Sequence, residues 1–121
     1  MPKLLIIEDE PLLREMYTGV FTEQGINVIS AESAEEGLLM IEQEMPDLIV
    51  LDILLPNADG NQMLEQLRKN PRTANLKVVA FSNYNDKTAK EKAYQLGVLD
   101  YLIKTDYTPQ EFVEKIKGYL Q

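Results

Sequence analysis

Short unbroken apolar runs alternate along the chain with longer stretches in which apolar residues recur at helical spacing. The short runs are Lys3-Leu4-Leu5-Ile6-Ile7, Ile26–Ser30, Leu48-Ile49-Val50-Leu51, Lys77-Val78-Val79-Ala80-Phe81 and Leu99–Ile103. Runs of Leu, Ile and Val without polar alternation mark strands buried on both faces, as in a parallel sheet. Between the first two, Leu13, Met16, Tyr17, Val20 and Phe21 predict a helix over Pro11–Gln24, opened by proline and closed by Gly25. Ser33-Ala34-Glu35-Glu36 has the form of a capping box, and the face that follows is Ala34, Leu38, Ile41 and Met45. A third helix carries Met63, Leu64 and Leu67 until Asn70-Pro71 breaks it. Asn85 or Asp86 caps a fourth, whose thin stripe is Ala89, Ala93 and Leu96. Thr108-Pro109-Gln110-Glu111 starts a fifth, bearing Phe112, Val113, Ile116 and Leu120. Leu54-Leu55-Pro56-Asn57-Ala58-Asp59-Gly60 is expected to be a loop. Five strands alternating with five helices predict an α/β fold, a parallel sheet with right-handed crossovers and helices on both faces.

At 121 residues the chain is expected to form one domain, residues 1–121, without repeat or linker. No stretch has the length of a membrane span, and the N-terminus lacks the order of a secretory signal. The absence of cysteine excludes disulfides and thiolate chemistry and fits a cytoplasmic location. A net charge of −8 argues against direct binding of a nucleic-acid backbone. There is no histidine either, so an imidazole base or a phosphohistidine must come from another molecule.

The chemistry sits at the strand ends. Glu8 and Asp9 follow the first strand, Asp52 the third, Ser82 the fourth and Lys104 the fifth. Parallel strands bring these ends to one edge, where open α/β sheets bind their ligands. Clustered carboxylates repel one another unless a cation joins them, and oxygen ligands suit Mg2+ or Mn2+. With a lysine for anionic charge and a serine hydroxyl as donor, the set makes a phosphoryl-transfer site with a carboxylate as nucleophile. Each residue also has a plainer reading: Asp52 as a loop cap, Glu8-Asp9 as acids at a helix start, Lys104 as a solvated lysine, Ser82 as an ordinary strand end.

With these residues in this order, the chain resembles the receiver domains of two-component response regulators, the chemotaxis regulator among them. The matching features are Glu8-Asp9, Asp52, the Pro56…Asp59-Gly60 loop, Ser82 and Tyr101-Leu102-Ile103-Lys104, spread over essentially the whole chain. The resemblance implies a flavodoxin-like, doubly wound sheet in the order 2-1-3-4-5. It implies that Asp52 accepts a phosphoryl group from a phosphohistidine on a histidine kinase or histidine phosphotransfer protein. Asp9, Asp52 and the backbone carbonyl of Leu54 would hold Mg2+, with Glu8 acting largely through water. Lys104 would pair with Asp52 and then with the phosphoryl oxygens, while Ser82 bonds the phosphoryl group and Tyr101 is the switch aromatic that moves inward. Output is expected through a protein target docking on the fourth helix, fifth strand and fifth helix, where Lys87, Lys90, Glu91 and Tyr94 face outward. The chain is thus expected to be a phosphorylated signalling switch and not a turnover enzyme.

Two positions depart from the family. Thr105 follows Lys104 where proline is usual, so that peptide is expected to be trans and the last loop re-routed. Asn83 follows Ser82 where a small alanine is typical, which crowds the pocket. Leu54 and Tyr84 occupy the positions that tune water attack, and their bulk predicts slow self-dephosphorylation. Two competing functions are a receiver-like module that is never phosphorylated and a phosphatase with an aspartate nucleophile. The phosphatase wants a second acid two positions after Asp52, where this chain has Leu54.

Overall fold

The computed structural model describes residues 2–55 and 58–120. Pro56 and Asn57 of the expected loop, and Gln121, lie outside them. Five parallel strands form one sheet: β1 (Lys3–Ile7), β2 (Asn27–Ala31), β3 (Leu48–Leu51), β4 (Val78–Ser82) and β5 (Asp100–Ile103). Their spatial order is β2-β1-β3-β4-β5, the doubly wound order expected. The helices are α1 (Pro11–Glu23), α2 (Ala34–Glu44), α3 (Gly60–Lys69), α4 (Lys87–Gln95) and α5 (Pro109–Leu120).

Strand alternation divides the apolar runs between two cores. Leu4, Ile6, Leu48, Val50, Val79, Phe81 and Leu102 pack against Tyr17 and Phe21 of α1 and Phe112, Val113 and Ile116 of α5. The Phe81 and Phe112 rings stack with centroids 3.8 Å apart. On the other face Leu5, Ile7, Ile49, Leu51, Val78 and Ala80 meet residues of α2, α3 and α4.

The expected caps form. Ser33 Oγ accepts from the Glu36 N–H at 3.1 Å. Thr108 and Glu111 bond reciprocally, each backbone N–H to the other's side chain, at 2.8 and 3.1 Å. Asp86, not Asn85, caps α4, its carboxylate accepting from the Ala89 N–H. Gly25 and Gly97 end α1 and α4 at φ +78° and +83°, a region open to glycine.

Several boundaries differ from expectation. The second, fourth and fifth strands each start one residue later than the apolar pattern suggests. The expected loop after Asp52 contains a short antiparallel ladder, Leu54 opposite Asp59 and Leu55 opposite Ala58. Met16 and Met45 are not core residues, being 38% and 40% exposed. Met45 stands past the last helical residue of α2 in a left-handed conformation, φ 44°, which turns it off the helix face. The Lys104–Thr105 peptide is trans, as expected, and the chain continues as a 3-10 turn over Lys104–Asp106.

Helix α4 buries little: Ala93 alone among its residues is fully buried. A polar seam joins it to α3 instead. Asn61 Nδ2 donates to the Ala89 carbonyl at 3.2 Å, Lys92 pairs with Glu65 at 2.8 Å, and Arg68 donates to the Leu96 and Gly97 carbonyls at 2.7 and 3.3 Å. Positions 61, 65 and 68 share one helix face, so the contacts run along the seam.

Candidate functional site

The polar strand ends converge at the carboxyl edge of the sheet. Asp52 follows β3 directly and is 6% exposed, while Glu8 follows β1 and is 3% exposed. Glu8, Asp9 and Asp52 each offer a carboxylate oxygen, and these lie within 4.8 Å of one another. The Lys104 ammonium donates to Asp52 Oδ2 at 2.8 Å and also to Glu8 Oε1.

Local bonds hold each acid in place. The Leu54 N–H donates to Asp52 Oδ1 at 3.0 Å, leaving Oδ2 to the lysine. Glu8 Oε2 accepts from the Glu10 N–H at 3.1 Å, and Arg14 donates to the Glu8 and Asp9 carbonyls at 2.9 and 3.4 Å. Gly60 donates its N–H to the Ile53 carbonyl at 2.8 Å. A Cβ on Gly60 would lie 2.7 Å from Ile53 Cα and 2.9 Å from the Asp52 carbonyl, so only glycine lets α3 start this close to the acid.

Burial pushes the Glu8 carboxyl above its ordinary value, against the opposing pull of Lys104 and the Glu10 N–H. Burial would lower the Lys104 ammonium, but its hydrogen bonds to Asp52 and Glu8 outweigh that and raise it. The lysine is therefore charged across the neutral range and balances two acids at once. Three carboxylates beside one ammonium keep a surplus of hard oxygen donors, a set that suits a divalent cation.

Ser82 is fully buried at the end of β4, and its Oγ accepts from the Tyr84 N–H at 3.1 Å. The hydroxyl proton is left free to donate elsewhere. Tyr101 lies inward and buried, its hydroxyl donating to the Tyr84 carbonyl at 2.6 Å. Burial first, and the charge of Asp52 next, push that phenol up to about 12. The Lys90 ammonium stands 5.8 Å from the Tyr101 ring centroid, a cation–π distance. The Asn83 side chain accepts from the Thr105 N–H at 3.2 Å. Leu54 and Tyr84 are open to solvent, at 55% and 39%.

The Glu8 carboxylate binds Lys104 directly, an ion pair between residues 96 positions apart.

The sequence and the fold have close counterparts. Residues 4–117 match the response regulator receiver domain family. The chain belongs to that family. Receiver domains of two-component response regulators are signalling modules, not turnover enzymes. This receiver domain is 36% identical to the transcriptional regulatory protein AfsQ1 of Streptomyces coelicolor over 104 residues, covering 86% of this chain and 45% of AfsQ1. It spans about half the length of the curated relatives it matches. Among solved structures, a putative response regulator from Chloroflexus aurantiacus superposes with a TM-score of 0.86 at 35% identity, covering 99% of this chain and 98% of that one. A CheY-like receiver domain protein from Methanospirillum hungatei gives a TM-score of 0.91 at 28% identity, covering 99% of this chain and 94% of the other. Receiver domains bind Mg2+ through an acidic pocket, and the Glu8-Asp9-Asp52 cluster has the composition of one. Among the described residues no helix is long and apolar enough to cross a membrane.

Proposed function

We propose that this receiver domain, residues 1–121 acting as one unit, takes a phosphoryl group onto Asp52 and reports it to a partner protein. The observation that carries this reading is the placement of Asp52. It is a buried carboxylate at a strand end, 2.8 Å from Lys104 and within a cluster of two further acids. The donor is a phosphohistidine on a histidine kinase or histidine phosphotransfer protein, since the chain has no histidine of its own. An Asp52 carboxylate oxygen attacks phosphorus, the N–P bond of the donor breaks, and the imidazole leaves as the group that takes up a proton.

Asp9, Asp52 and the Leu54 carbonyl would hold Mg2+ or Mn2+, with Glu8 behind them. Bound there, the ion would supply positive charge to offset that on the transferring oxygens. The chain's own residues supply the rest. Lys104, freed from Asp52 Oδ2, turns its charge to the phosphoryl oxygens, and the Ser82 hydroxyl donates to another. Tyr84 bonds both Ser82 and Tyr101, so movement of Ser82 is transmitted to the aromatic ring and to α4. The docking surface is α4, β5 and α5, where Lys87, Glu91 and Tyr94 are exposed.

Incubation with acetyl phosphate and Mg2+, read by intact mass, tests the reading. Wild type gains one phosphoryl group and Asp52→Asn gains none. An adduct surviving in Asp52→Asn would move the nucleophile elsewhere.

A further inference from the structure

Asn83 stands one residue beyond Ser82 and Thr105 one residue beyond Lys104, and the two are bonded to each other. The last register pair between β4 and β5 is Ser82 opposite Ile103. Past it, the Thr105 N–H donates to Asn83 Oδ1 at 3.2 Å, which carries the linkage into the turn that begins at Lys104. A second bond, from the Tyr101 hydroxyl to the Tyr84 carbonyl at 2.6 Å, fastens the same loop one residue later. Ser82 is thus followed by two fastenings to the fifth strand and its turn, and one of them is anchored directly beside Lys104.

We propose that the Asn83 side chain and the Thr105 N–H form a clasp that positions Ser82 Oγ and Lys104 Nζ relative to each other for phosphoryl transfer. The inference rests on Asp52 being the phosphoacceptor. Ser82 is the last residue of β4 and Lys104 opens the turn after β5, and the Ser82–Ile103 pair is the last the ladder supplies between the two strands. Donors held at a set separation need no reorganisation as charge develops between them, and loss of that order slows the transfer step. Asn83 bonds no reacting atom, so its effect passes through Ser82 and Lys104. The clasp sets the maximal rate of transfer and leaves donor affinity alone.

The test measures phosphorylation rate against acetyl phosphate concentration in Mg2+, by intact mass, for wild type, Asn83→Ala, Thr105→Ala, Thr105→Pro and the Asn83→Ala/Thr105→Pro double variant. Asn83→Ala lowers the maximal rate about two- to tenfold, the range for one lost hydrogen bond. The half-saturating donor concentration is unchanged. Thr105→Ala keeps the N–H and the wild-type rate, whereas Thr105→Pro removes the N–H. The double variant is no slower than its slower parent, because both changes break one bond. Hydrogen exchange of the Thr105 amide, followed without phosphodonor, is faster in Asn83→Ala than in wild type. Equal rates for wild type and Asn83→Ala would overturn this inference alone. So would single effects that multiply in the double variant, or a Thr105→Ala as slow as Asn83→Ala; the last comparison decides even where Thr105→Pro does not fold. A wild-type protein that forms no adduct overturns the assignment of Asp52 and this inference with it.

Discussion

Replacing Lys104 by methionine isolates what one ammonium does for the acids around it. Its side chain is 9% exposed, against 3% for Glu8 and 7% for Asp52. The substitution keeps the apolar stem in place but leaves two buried carboxylates facing each other, with Asp9 close by. Breaking a buried ion pair in this way costs about 3–5 kcal/mol in metal-free buffer at neutral pH. With a urea slope of about 1.5 kcal/mol/M for a domain this size, the unfolding midpoint falls by about 2–3 M. The pH dependence is a second signature. Burial holds the Glu8 carboxyl above its ordinary value even beside the lysine. Between the ordinary and the raised value the native state binds more protons than the unfolded chain, so stability falls as pH rises through that window. Loss of Lys104 removes an opposing pull and extends the window upward. The deficit of Lys104→Met therefore shrinks as pH is lowered toward the ordinary glutamate value, and added Mg2+ recovers part of it at neutral pH. Urea melts followed by far-UV circular dichroism at pH 5 and 7.5, with EDTA or Mg2+, measure all three effects. A midpoint shift below about 0.5 M at pH 7.5 in EDTA would refute the reasoning, as would a deficit that ignores pH.

Three further outcomes are expected. Gly60→Ala drives a methyl group into the Asp52–Ile53 backbone and lowers stability by about 1–3 kcal/mol, while Gly118→Ala, with open space around it in α5, raises stability by up to about 1 kcal/mol; urea midpoints compare the two. Burial alone would raise the Asp100 carboxyl, but hydrogen bonds from Tyr119, the Tyr101 N–H and Tyr94, with Lys115 nearby, hold it below its ordinary value. Asp100 thus adds stability above the ordinary aspartate range that is lost as pH falls through the lower, folded value, so Asp100→Asn flattens the acid limb of a midpoint-versus-pH curve below about pH 4. Leu54→Ala with Tyr84→Ala removes two exposed bulky side chains, two residues past Asp52 and two past Ser82, and shortens the lifetime of the phosphorylated protein about tenfold, a change of ~1.4 kcal/mol in barrier height; an unchanged lifetime by intact mass would remove these two residues from control of hydrolysis.

The architecture was legible because its signals are local and repeat. The strands are short apolar blocks, and each of Asp52, Ser82 and Lys104 marks the point where a block ends on a polar group. Parallel topology then brings those points together whatever their separation in sequence. The pairings inside the site were not legible in the same way. Nothing in Glu8-Asp9 says which acid turns inward, since that depends on the pleat of β1 and on a lysine 96 positions away. The bonds from Leu54 N–H to Asp52 and from Tyr84 N–H to Ser82 follow a known habit of Asp and Ser side chains at turns, and that signal was available. The Asn83–Thr105 bond had no such signal, because it needs the paths of two loops. Along the sequence Asn83 and Thr105 are two separate departures from the family, and only the folded chain joins them. The exposure of Met16 and Met45 shows the limit of periodicity, which finds the centre of an apolar stripe better than its edges.

The seam between α3 and α4 bears on how readily the molecule can exist in two forms. To leave its place, α5 would have to withdraw Phe112, Val113 and Ile116 from a core. Helix α4 would uncover chiefly Ala93 and exchange one amide bond and one surface ion pair, each worth about 0.5–1.5 kcal/mol or less, and the Arg68 bond to the Leu96 carbonyl, worth about 1.5–3 kcal/mol. Reseating α4 would therefore disturb less buried apolar surface than reseating α5, which makes α4 the element that a bound partner can shift at the lower cost. Of the two helices flanking β5, one is a wall and the other a shutter, and the exposed Lys87 and Tyr94 ride on the shutter.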